Sequence, residues 1–178
     1  QLGYTRGVNS FPKTNTQLMA RSLGMYDLCT YELESIEVMS IPAATGSTSI
    51  DLIQFAIPYN DDPPYALPIH LGMAYAALGT ANFSQAYEYL KEQGVNFLSE
   101  PYGNPGQRFV FMQDPDGVYL KLIEISAGEL PADNKSNVSI QAMPYIGINV
   151  SDFEASLTFY ARLGYTAVKM FPPQGPLH

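Results

Sequence analysis

The sequence predicts an α+β fold, with paired βαβββ modules forming a cupped open barrel. Three observations lead there. Leu23-Gly24, Gln93-Gly94 and Leu163-Gly164 each close a helix-like segment, and their glycines recur at a spacing of 70 residues. Each segment follows a strand-like run with glycine at its third place: Thr5–Val8, His70–Met73 and Tyr145–Ile148. The run from Ile50 to Gln54 matches the run from Leu120 to Glu124 at the same offset.

The first unit opens at Thr5. Pro12 lies near its helix start, where a missing N–H costs little. Met25–Thr30, Ser35–Ser40 and Ser49–Ala56 then read as strands. The second unit opens at His70, five residues further from its closing glycine than in the other units. Tyr75–Ala81 is therefore expected to hold a longer strand end or a loop. Phe83, Ala86, Tyr87 and Leu90 form one apolar helical stripe. Val95–Glu100, Arg108–Gln113 and Val118–Ile125 follow as strands. The last two are joined by Asp114-Pro115-Asp116-Gly117, a strong turn signal because Pro sets φ and Gly accepts a positive one. In the third unit Ser151 or Asp152 is placed to cap a helix whose stripe is Phe153, Leu157, Tyr160 and Leu163. A strand over Tyr165–Lys169 comes next.

A curved sheet of one unit cannot bury its face alone, so units are expected to pair. Units 5–56 and 69–125 are assigned to one domain, residues 1–125. The polar stretch 126–143 reads as a linker. Residues 144–178 read as the incomplete start of a second domain, expected to pack against further residues or a neighbouring chain.

Composition narrows the function. Hydrophobic residues make up 46%, enough for a packed core, and charged residues only 15%. A net charge of −8 with 9 Lys and Arg excludes the basic stripe that a nucleic-acid binder needs, and it repels anionic membranes. No run approaches the roughly 20 apolar residues of a membrane span. Cys29 is the only cysteine, so no internal disulfide forms, and it reads as a core residue. The Asn-X-Ser triplets at Asn82, Asn134, Asn137 and Asn149 are short enough to arise by chance. The expectation is a cytoplasmic protein.

The segment Gln113–Glu124 resembles the closing hairpin of vicinal-oxygen-chelate modules, the glyoxalase, bleomycin-resistance and extradiol-dioxygenase group. Tyr145–Gly164 resembles their opening strand and helix, and Ile69–Ala74 the opening strand of another module. The chain as a whole resembles bacterial members with tandem domains. The resemblance implies a metal site of four inward-facing side chains, two from opening strands and two from closing strands. It places Thr5, Asp51, His70 and Lys121 there. Asp51 and His70 are able donors. A neutral Thr5 is a poor one, and the Lys121 cation repels a metal. The resemblance therefore implies a small-molecule binding protein with no cofactor in the first domain. The alternative is a lyase, isomerase or oxygenase using a divalent metal ion.

Each candidate has a plainer reading. Asp51 and Lys121 are either a polar pair in the cavity or a structural ion pair, or solvated strand residues. His70 is either a surviving ligand or general base, or a linker or core histidine. Glu124 should face away from Lys121 and reads as a solvated carboxylate. Phe111 shares one strand face with Phe109 and Gln113 and is a cavity candidate. Tyr75, Tyr87, Tyr89 and Tyr119 line either a pocket or the core. The expected partner is a small-molecule ligand, and a homodimer is left open.

Overall fold

A computed structural model describes residues 5–6, 21, 24, 31–40, 49–57, 60–64, 66–126 and 140–166. Several expectations lie outside them: the helix near Pro12, the strand with Cys29, most of the stretch 126–143, and residues 167–169 of the strand after Gly164.

The strands are β1 (Thr5–Arg6), β2 (Glu32–Ser40), β3 (Ile50–Ile57), β4 (Gly72–Thr80), β5 (Asn96–Phe97), β6 (Phe109–Gln113), β7 (Tyr119–Glu124) and β8 (Ala142–Asn149). The described helices are α1 (Phe83–Glu92) and α2 (Phe153–Arg162). Strands β1, β2 and β3 form a three-stranded antiparallel sheet. The other five form a second sheet in the order β5-β6-β7-β4-β8. Within it β4 runs parallel to β7 and antiparallel to β8.

Helix α1 carries the sequence stripe Phe83, Ala86, Tyr87 and Leu90, and all four are buried. They pack on Leu78, Val110, Met112 and Leu122 from β4, β6 and β7, with Ile140 closing the edge. Alternation along β6 and β7 sends Phe109, Phe111 and Lys121 to the other face. The helix side of the sheet is thus the core, and the far side is free to form a cleft. The turn between β6 and β7 forms where the sequence places it. The Asp114 carboxylate accepts the Asp116 and Val118 N–H groups, and Gly117 takes φ 89°.

Helices α1 and α2 begin 70 residues apart, at Phe83 and Phe153. Their caps differ. The Asp152 carboxylate accepts the Ala155 N–H at 2.9 Å, whereas Asn82 makes no side-chain cap bond.

Two expectations are corrected. The opening strand of the second unit begins at Gly72, not His70, and runs through to Thr80. Of the two forms expected for Tyr75–Ala81, a longer strand end is the one that forms, and no loop separates it from α1. Tyr75 rather than His70 therefore stands one 70-residue step before Tyr145. The free edge of β4 is also taken by β8 of the third unit, with Tyr75 opposite Gly147 and Ala77 opposite Tyr145. The end of the supposed linker belongs to this sheet. Gln141 is buried, donates its N–H to the Gly79 carbonyl, and accepts the Ala81 N–H at 2.7 Å. Among the described residues, no strand of the first unit joins the five-stranded sheet.

Candidate functional site

On the sheet face opposite α1, Lys121 lies directly across from Phe111 in the β6–β7 ladder. Its Nζ sits 4.3 Å from the Phe109 ring centre, 5.4 Å from Tyr75 and 5.5 Å from Phe111. Tyr75 meets Phe111 edge-on at 5.2 Å and Tyr145 at 6.4 Å. Gly147 makes this possible, because a Cβ there would run into the Tyr75 ring. Strands β4 and β6 thus bring three rings around the ammonium of β7, and Tyr145 of β8 packs against the Tyr75 ring behind them. Aromatic faces attract a cation, while the loss of water favours its neutral form. Burial lowers the Lys121 pKa. Burial also raises the Tyr75 and Tyr145 phenols, the second further through its neighbour Tyr75. Among the described residues, neither the ammonium nor either phenol has a hydrogen-bond acceptor.

The cleft beside Lys121 has a volume of about 560 Å³, and its lining includes Phe109, Ile123, Pro144 and Tyr145 together with Arg108 and Glu124. Arg108 clasps Glu124 through two bonds, Nη2 to Oε1 at 2.7 Å and Nε to Oε2 at 2.9 Å. The Gly106 N–H adds a third at 2.7 Å. Arg108 chiefly, with the Gly106 and Arg108 backbone N–H groups, holds the Glu124 carboxyl down at about 2. Arg108 also donates to Ser84 Oγ and lies over the Phe83 ring, so the pair ties the β6–β7 hairpin to α1. Glu124 is thus a clamped structural carboxylate rather than a solvated one.

The sequence candidates separate in space. Lys121 and Phe111 come together. Thr5 lies in β1 opposite Ser40. Asp51 lies on β3, exposed, and lines a different cleft with Ser35 and Glu37. No ion pair joins Asp51 to Lys121. His70 is exposed in the turn before β4, where its carbonyl accepts the Asn149 amide at 2.9 Å. Tyr75, read from the sequence as either a pocket or a core residue, joins Lys121 and Phe111 at the cluster, and Tyr145 is the further residue found there. Strict use of the 70-residue spacing finds both.

A divalent metal needs about three anionic or imidazole donors at one point. Among the described residues, no three His, Cys, Asp or Glu side chains gather in that way. The closing-strand position that faces the cleft carries an ammonium. The residues present do not fit a metal here.

Paired βαβ edges with an open cleft on the face away from the helices define a class of cupped α+β protein. The chain belongs to the Glyoxalase/Bleomycin resistance protein/Dioxygenase superfamily, whose profile matches residues 23–122. It is 26% identical over 97 residues to a lactoylglutathione lyase of Schizosaccharomyces pombe, a match covering 54% of this chain and 31% of that protein. The chain thus spans about a third of that relative's length. A glyoxalase family protein from Bacillus cereus superposes with a TM-score of 0.51 at 18% identity, over 62% of this chain and 72% of that one. Glyoxalase I from Zea mays superposes at 0.52 with 20% identity, over 70% of this chain and 39% of its own. These structural likenesses speak for the fold. No described helix is long and apolar enough to cross a membrane.

Proposed function

We propose that the chain is a small-molecule binding member of its superfamily, and that it binds without a divalent metal in the cleft over Lys121. The observation that supports this is the Lys121 ammonium within an aromatic cage, at the closing-strand position the resemblance assigns to a metal donor. A metal there would meet a like charge a few ångströms away, in surroundings that screen it poorly. The lyase named for the S. pombe relative would be carried over on low identity and partial length alone.

The test is metal loading. The protein is equilibrated with zinc, nickel or manganese, dialysed, and assayed by elemental analysis beside Lys121→Glu. The expected result is no stoichiometric metal in the native protein. One equivalent of metal that survives dialysis and is lost on replacing Tyr75 or Tyr145 would overturn the proposal.

A further inference from the structure

We propose that the cleft takes a carboxylate carried on a flat apolar body, with Lys121 as its counter-ion and Tyr145 of the third unit completing the site. The inference rests on the metal-free reading above and names the ligand class of the same cleft.

The first argument is unmet hydrogen bonding. An ammonium has three donors and a phenol has one. Lys121, Tyr75 and Tyr145 stand together with no acceptor among the described residues. Lys121 and Tyr75 are partly buried and Tyr145 keeps 39% of its surface exposed, so these donors are only partly withdrawn from water. A ligand carboxylate in the cleft would give Lys121 and Tyr145, which both line it, an acceptor. The second argument is charge. The chain is net −8, yet among the described residues the only carboxylate lining the cleft, Glu124, is neutralised by Arg108. Lys121 then gives the cleft an excess of positive charge. An anion is drawn in and not repelled.

The third argument selects among anions and bodies. An aromatic cage of this kind suits a cation, and here the chain's own Lys121 already fills it. The ligand's charge must therefore be negative. One free ammonium suits a monoanion. A phosphate dianion is ordinarily met by several cations, or by the N–H groups of a helix start. Phe109, Ile123, Pro144 and Tyr145 offer apolar surface to a flat body, with Gln107 and Ser126 also in the lining, and about 560 Å³ lies within the usual range for small-molecule sites.

The experiment is titration calorimetry with benzoate, cinnamate and 2-naphthoate, each beside its carboxamide, in the presence and absence of EDTA. The acids are expected to bind about 10- to 100-fold more tightly than their amides, the range for a hydrogen bond to a charged group. Lys121→Met should remove that preference, Lys121→Arg should retain it, and Tyr145→Phe should weaken the acids alone. Circular dichroism checks that each variant folds. Equal binding of acids and amides, or no binding by any acid, would overturn the ligand class and leave the metal-free reading standing. Acid binding that EDTA abolishes would bring down the metal-free reading itself.

Discussion

Replacing Glu124 by glutamine removes one charge from the Arg108 clasp and leaves the side-chain shape almost unchanged. The carboxyl drops from an ordinary 4.5 to about 2 in the folded chain. At about 1.36 kcal/mol per pKa unit, the ceiling on its contribution is about 3 kcal/mol. The Glu124 side chain is 12% exposed but Arg108 is 26% exposed, so solvent screening brings the expected loss to about 1–2 kcal/mol. The sign follows from a depressed acid. Its stabilisation is complete above the unfolded value near 4.5 and fades as pH falls towards 2. Urea unfolding of the native protein and Glu124→Gln should therefore differ by about 1–2 kcal/mol at pH 7, with the gap narrowing steadily between pH 4.5 and 2. A gap that is the same at pH 7 and pH 2.5 would refute the reasoning, because the loss would then come from packing and not from charge.

Three further predictions follow from the packing. Gly147→Ala drives a methyl group into the Tyr75 ring and should cost about 1–3 kcal/mol in urea unfolding, with a changed near-ultraviolet tyrosine signal. Asp152→Ala should cost about 1 kcal/mol, while Asn82→Ala, at a start with no side-chain cap bond, should cost much less; thermal melts of the two variants make the comparison. Leu122→Ala, fully buried beneath α1, should cost about 2–5 kcal/mol, whereas Leu52→Ala, about half exposed on β3, should change stability by no more than about 0.5 kcal/mol.

Much of the second unit could be read from its residues. The stripe Phe83, Ala86, Tyr87, Leu90 has helical spacing, and the Asp-Pro-Asp-Gly turn sets the phase of β6 against β7. That phase alone puts Lys121 and Phe111 on one face. Strand β4 was harder. Its stretch Ala74-Tyr75-Ala76-Ala77 is poor in β-branched residues and carries little local strand signal. The strand forms because β7 and β8 pair with both of its edges and Leu78 is buried under α1. A glycine anchor at His70-Leu71-Gly72 therefore drew the opening position five residues too early. The role of Glu124 is hidden from local pattern for a similar reason. Alternation tells which side of β7 it takes, but not that Arg108, 16 residues earlier, reaches across to clasp it. The choice of β8 as partner of β4 is a contact between distant segments that no local pattern encodes.

Strand β4 has two edges. One is committed to β7 within its own unit, and the other to β8. A unit built this way has a valence of one towards other units. The two strands that meet across it, β4 and β8, are far apart in the chain, with α1, β5, β6 and β7 between them. Nothing in the ladder distinguishes the β8 of this molecule from the β8 of another. Covalent connection decides, because a strand on the same chain is always close at hand while a strand on another chain is only as near as concentration makes it. Refolding at high concentration is therefore expected to give some dimer in which β8 and α2 are exchanged and each cleft holds the neighbour's Tyr145, read by gel filtration against chain concentration.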